Sequence, residues 1–187
     1  MGKTEQGRVA KGNGKRFENL VGRWLSVPNS NCDIRKQHEA LKPVRSMGHG
    51  QFIAVYTAAS GCDYFGTLMG GYSVVIEAKH READRIRQAD FTEAEKQHLH
   101  KTAELGGYAV VVVEFADGRV FLLPYLLVEK SQYVYGHKHI KEGELVRDGY
   151  QINFCEDLYS AITKNSRKGL ERLLFGIKEA RKNEDKV

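Results

Sequence analysis

The sequence is poor in cysteine, with 3 in 187 residues. Cys32, Cys62 and Cys155 lie far apart and form no CxxC pair, which excludes a cysteine-rich zinc module and argues against a disulfide framework. No apolar run approaches the ~18 residues of a membrane-crossing helix. The opening MGKTEQGRVAKGNGK lacks the apolar core of a signal peptide, so a cytoplasmic protein without a membrane partner is expected. There is no internal repeat and no low-complexity block. The glycine-rich stretches fit neither a phosphate-binding P-loop nor a dinucleotide fingerprint. At this length one domain with a real core is expected and two are not.

Positive charge is in modest excess and unevenly placed. Lys and Arg number 29 against 24 Asp and Glu, a formal charge of +5. Residues 1–16 and 164–187 each carry +4, which leaves the stretch between them at −3. An acidic middle between basic ends suits a site that holds cations while its flanks hold a polyanion; two solvated tails are the competing reading. Residues 1–14, rich in Gly, Lys and polar side chains, read as a flexible basic arm. Residues 15–163 read as the folded domain and 164–187 as a basic C-terminal helical extension.

Periodicity supplies the elements. Phe17, Leu20, Val21, Trp24 and Leu25 form one apolar stripe of a helix that starts at Lys15 and ends at Pro28 and Asn29. Residues 31–41 alternate weakly, as an edge strand does, and 51–57 read as a strand after the turn at Gly48–Gly50. Asp63 opens a polar, Gly-punctuated turn. Tyr72–Lys79 is β-branched and reads as a strand, followed by a charged loop over 80–90. Thr92 and Glu95 make a capping box for a helix to about Leu105. Tyr108–Phe115 is apolar enough for a strand buried on both faces. Asp117–Gly118 turns it back into Val120–Leu123, and Pro124 starts a short helix. Two further helices are read near Glu156–Ile162 and Lys168–Arg181. A strand, a helix and a strand over 72–115 predict a parallel, right-handed crossover. The fold class is α/β, a mixed central sheet flanked by helices.

Chemistry concentrates at Asp63, Glu77 and Lys79. In a strand Glu77 and Lys79 share a face, and a carboxylate and an ammonium ending an apolar strand need a reason to be there. Asp63 enters from the preceding turn. Two converging carboxylates repel unless a cation lies between them, and a hard divalent ion is the natural occupant. The competing reading is a surface Glu77–Lys79 pair with Asp63 a turn former. Glu18 on the first helix, Gln97 on the helix after the strand, and Arg81, Arg85 and Arg87 in the loop favour the metal site. Acidic ligands, a lysine and flanking cations are what a metal-dependent phosphodiesterase needs.

The spacing Asp63–x13–Glu77–x–Lys79 resembles the PD-(D/E)xK nucleases. GKRFENLV, CDYFGTLMGGYSVVIEAK, EKQHLHKTAELGGYAVVVVEF and RVFLLPYLL, over about residues 15–160, are similar to the bacterial RecU-type Holliday-junction resolvases. The resemblance implies a restriction-endonuclease-like core. It also implies a magnesium-dependent endonuclease acting on four-way junctions, with Mn²⁺ able to substitute. Asp63, Glu77 and Gln97 are then the metal ligands, Lys79 the transition-state group and Glu18 a further shell residue. Cleavage leaves a 5′-phosphate. The two-fold symmetry of the junction calls for a homodimer. Lys15, Arg16, Arg81, Arg85 and Arg87 are the expected DNA contacts.

Two departures stand out: Cys62 replaces a usual threonine, and residues 43–60 look short for the family's junction-probing stalk. The alternatives are a phage nuclease on flaps, ends or single strands, and a non-catalytic DNA-binding module. His98 and His100, two apart on a helix, do not share a face, which argues against zinc. His137 and His139 read as surface residues. Tyr64, Phe65, Tyr133 and Tyr135 could stack on bases, packing being the competing role.

Overall fold

A computed structural model describes residues 3–29, 31–38, 41–49, 51–56 and 61–184. The elements in chain order are α1 (Lys3–Leu25), β1 (Cys32–Lys36), β2 (Leu41–Gly48), β3 (Gln51–Tyr56), β4 (Tyr64–Leu68), β5 (Tyr72–Arg81), β6 (Arg85–Ile86), α2 (Glu93–Glu104), β7 (Tyr108–Phe115), β8 (Val120–Pro124), α3 (Tyr125–Glu129), α4 (Ser131–Tyr135), β9 (Ile140–Lys141), α5 (Glu142–Arg147), β10 (Gln151–Ile152) and α6 (Leu158–Glu184). Six strands form one sheet in the order β1-β4-β5-β7-β8-β10. Only the β5–β7 pair is parallel, and α2 makes the crossover between them. The mixed α/β sheet read from the pattern is therefore present.

The alternation of side chains along the strands divides the core in two. Val75, Val111, Val113, Phe121 and Leu123 face Leu99 of α2, Tyr125 and Leu127 of α3, and Leu145 of α5. Val74, Ile76, Val110, Val112 and Leu122 face Phe17, Val21 and Trp24 of α1, and Leu158 and Ile162 of α6. Both faces of β7 are covered, which is why YAVVVVEF is apolar at almost every position.

The structure differs from the sequence reading in five places. The helix expected from Lys15 begins at Lys3, so residues 3–14, read as a flexible arm, continue α1; Asn13 in this stretch donates to Glu82 at 3.0 Å. The polar turn after Asp63 is the strand β4, which pairs with both β1 and β5. Its Gly66 hides the strand signal yet permits it, because a Cβ there would lie 2.1 Å from the Asp33 carbonyl oxygen. β2 was not read as a strand; with β3, the strand expected after the turn at Gly48–Gly50, it forms a hairpin in a two-stranded sheet of its own, with residues 44–49 all exposed and 57–60 outside the described residues. The 80–90 loop is partly ordered: β5 runs to Arg81, and β6 pairs with β9. The two C-terminal helices are one, α6. Lys164–Asn165–Ser166 interrupts the apolar pattern, but Asn165 and Ser166 are buried and Asn165 Nδ2 donates to the Leu122 carbonyl at 3.0 Å. The boundary drawn at residue 163 falls inside this helix.

Leu99 is fully buried and fastens α2 to the sheet. Leu99→Ala should lower unfolding free energy by about 2–5 kcal/mol, measured by denaturant titration; a loss under 1 kcal/mol would show that α2 is held by other means.

Candidate active site

The site forms where sheet pairing runs out. β4 begins at Tyr64, opposite Ile76, while β5 continues to Arg81. Asp63 replaces the missing pairing with a reciprocal clamp. Its Oδ2 accepts from the Ala78 N–H at 2.9 Å, and its own N–H donates to Glu77 Oε2 at 3.2 Å. Glu77 and Lys79 point, two residues apart, to the α2 side of the sheet. Lys79 Nζ lies 2.7 Å from Glu77 Oε1 and 2.7 Å from Glu95 Oε2, with the Phe91 ring 5.1 Å away.

Glu95 has a second task. It is the third residue of the capping box: its Oε2 accepts from Thr92 N–H at 3.0 Å, and its own N–H donates to Thr92 Oγ1 at 3.3 Å. One carboxylate thus caps α2 and holds Lys79. His98, one turn on, accepts the Cys62 N–H at Nδ1 over 3.3 Å, which assigns its proton to Nε2. A Cβ at Gly61 would sit 2.2 Å from that Nδ1, so His98 and Gly61 together set the approach of the Cys62–Asp63 turn.

Burial and crowding govern the electrostatics. Burial, with Glu18 and Glu95 adding to it, pushes the Asp63 carboxyl up to about 6, against the pull of the Ala78 N–H. Burial and then Asp63 itself push Glu77 up to about 8, although Lys79 opposes them. Burial works against the Lys79 ammonium, but Glu77 and Glu95 outweigh it and hold its pKa above the ordinary lysine value. Burial also drives the Cys62 thiol well up, and Glu77 adds to it, so this sulfur is a protonated packing group. Asp63 and Glu77 supply hard oxygens that fit Mg²⁺, which takes one or two carboxylates and keeps water and phosphate oxygens as its other ligands. Among the described residues no three His, Cys, Asp or Glu side chains form a closed protein cage.

The remaining expected site residues fall in several places. Glu18 reaches the mouth of the site and pairs with Lys36 at 2.6 Å; both line a cavity with Asp63. Gln97 is exposed and is not brought to Lys79. On α2 the inward positions are 95, 98, 99 and 102, an i, i+3, i+4, i+7 stripe, and Gln97 is out of phase with it. Glu95, in phase with that stripe, is the α2 side chain bonded to Lys79, and the same periodicity would have selected it. Arg81 and Arg87 both bind the nearly buried Asp90, at 3.1 and 3.2 Å. Arg85 pairs with Asp84 at 3.0 Å. Arg16 is tied to the buried Glu114, which also takes His80 Nδ1 at 2.8 Å. Lys15 is exposed and has no ion pair among the described residues. Of the histidines on α2, His98 meets the Cys62 backbone and His100 meets Glu129, so they do not share a ligand. Tyr64 is buried, whereas Phe65 and Tyr133 are 45 % and 57 % exposed.

The sequence pattern of recombination protein U matches residues 14–164, most of the chain. The protein belongs to the RecU family. RecU is a family of Holliday-junction resolvases, and the resemblance read in the sequence holds at the level of family. No curated protein matches the chain. Among solved structures it is similar to Hjc, a Holliday junction resolvase of the archaeal hyperthermophile Archaeoglobus fulgidus, at 16 % identity and a TM-score of 0.45, over 80 % of this chain and 98 % of that one.

The carboxyl shifts dictate a pH dependence. Both groups sit above their unfolded values, so between those values the folded protein binds more protons, and stability falls as pH rises. For Asp63 the loss runs from 3.8 through about 6, and for Glu77 from 4.5 through about 8. Without divalent ions, Tm should therefore decline from pH 5 to pH 8, and Asp63→Asn with Glu77→Gln should flatten the decline. A profile of equal slope in the double variant would refute this electrostatic picture.

Proposed function

We propose that the protein is a divalent-metal-dependent endonuclease that resolves four-way DNA junctions during recombination. The observation that carries this is the clamp at the end of β5. It brings the buried Glu77 carboxylate, the half-buried Asp63 carboxylate and one paired ammonium to a single point, in a chain of the RecU family. Asp63 and Glu77 would hold Mg²⁺, or Mn²⁺ in its place, with Glu18 available at the mouth of the site. When bound, the cation polarises the attacked phosphate. Lys79 donates its N–H groups toward the charge that develops there, already aimed by Glu77 and Glu95. Water adds to phosphorus and the bond to the 3′ oxygen breaks, leaving a 5′-phosphate and a 3′-hydroxyl. Glu95 is a positioning residue.

A four-way junction has near two-fold symmetry, so paired nicks require two active sites related by a two-fold axis. A homodimer follows from that geometry. Two basic clefts at a fixed angle engage a junction together and a linear duplex one at a time, and avidity of this kind reaches ~10²–10⁴-fold.

The test is cleavage of synthetic junction, flap and duplex DNA with and without Mg²⁺. Asp63→Ala should abolish cutting and leave junction binding nearly intact; wild-type cutting by this variant would end the metal assignment. Lys79→Ala should slow turnover about 10²–10³-fold, and a normal rate with only a lower Tm would make Lys79 a structural residue. Sedimentation should give a dimer with paired symmetric nicks; a monomer that treats junction and duplex alike would leave a general nuclease.

A further inference from the structure

Two grooves meet on the outer side of α1. The larger, about 880 Å³, runs between α1 and β1 and is lined by Lys15, Arg16, Arg23 and Lys36 with no acidic residue among its walls. The smaller, about 460 Å³, is lined by Lys11, Lys15 and Lys36 together with Glu18, and reaches Asp63. Lys15 and Lys36 belong to both, so the grooves join end to end. Together they make one positively lined track that leads to a catalytic carboxylate.

The charge on this track is of a different quality from that of the loop after β5. Arg81, Arg85 and Arg87 are each held by an aspartate. Lys11, Lys15 and Arg23 have no ion pair among the described residues, and all three are exposed. Lys36 faces Glu18 at the junction of the two grooves, with 44 % of its side chain still exposed. Spacing fits a nucleic-acid strand. Lys15 and Arg23 are eight residues apart on α1, about 12 Å along the axis, and a DNA strand advances 3.4 Å per phosphate along its duplex. The cations therefore span about three consecutive phosphates.

We propose that this track carries the phosphodiester backbone of one DNA strand into the active site, with Lys15, Arg23 and Lys36 as its phosphate contacts. The partner is the strand flanking the cut. The proposal rests on the nuclease reading above and adds the path by which the strand enters. It places the principal contacts on α1 and β1 instead of on the 81–87 loop.

The experiment is fluorescence anisotropy of a labelled synthetic four-way junction in EDTA, which prevents cleavage, from 50 to 200 mM salt. Each lost phosphate contact lowers the log–log salt slope by about 0.9. The triple variant Lys15→Gln, Arg23→Gln, Lys36→Gln should therefore have a slope shallower than wild type by about 2–3. A control with the same net charge, Lys101→Gln, Arg119→Gln, Arg167→Gln, changes exposed cations outside the groove and should keep the wild-type slope to within about 1. All six positions are exposed or half-buried at the surface, and unchanged circular dichroism verifies folding. If the two triples differ in slope by less than about 1, the track is not the strand path. Cleavage by the wild type in Mg²⁺ is scored separately: tight binding without any cutting would fail the nuclease reading, while the slope comparison would still decide the groove.

Discussion

The structure depends on where β4 stops. Had β4 begun two residues earlier, with Cys62 opposite Ala78, the Ala78 N–H would be spent on a ladder hydrogen bond. Instead that donor is taken by the Asp63 carboxylate, and the Asp63 N–H goes to Glu77. Two acids are thereby held at the end of a buried strand, Glu77 out of reach of bulk water and Asp63 at the wall of a cavity. Desolvation, and after it the neighbouring carboxylates, push both toward protonation, and among the described residues Lys79 is the cation placed to oppose it. A divalent ion binding there would draw on energy already stored in the fold, because it relieves a repulsion that folding imposes.

This arrangement ties catalysis to helix capping. Glu95 closes the first turn of α2 and holds the Lys79 ammonium with the same oxygen. Lys79 also rests near the face of Phe91, which belongs to the core beneath α2. The orientation of Lys79 is therefore fixed by the packing of the crossover helix, and the crossover helix is fixed by Leu99 against the sheet. A parallel β5–β7 pair needs such a helix; here its N-terminal turn has become part of the site that the pair creates.

Asp63, Glu77 and Lys79 were legible in the sequence because strand periodicity is two and charge at the end of an apolar strand is conspicuous. The central strands, the capping box and the crossover were legible for the same local reasons. β4 was not, since Gly66 lowers its strand signal and its need for glycine comes from the Asp33 backbone across the sheet. The continuity of α6 was hidden because Asn165 looks like a break until its bond to Leu122 is seen. Gln97 was chosen by the family resemblance and Glu95 was assigned to the cap alone; the helical phase of Leu99 and Thr102 selects position 95. That a capping carboxylate also reaches a neighbouring strand is a tertiary fact with no local signature.

Formal charge proved a poor guide to available charge. The 81–87 loop is dense in arginine, yet Asp84 and Asp90 are close enough in sequence to satisfy it. Arg16, next to Lys15, is tied to Glu114, the carboxylate that His80 also binds. An arginine that already holds a carboxylate gives up that pair when it turns to a phosphate, so it adds less to binding than a solvated lysine of the same charge. What a polyanion meets is the charge left after the fold has taken its share. That remainder is largest along α1, where 3.6-residue periodicity sets Lys11, Lys15 and Arg23 away from the apolar stripe and where β1 brings Lys36 alongside. The buried face of α1 builds one half of the core, and its outer face leads to the Asp63 carboxylate that the end of β4 exposes.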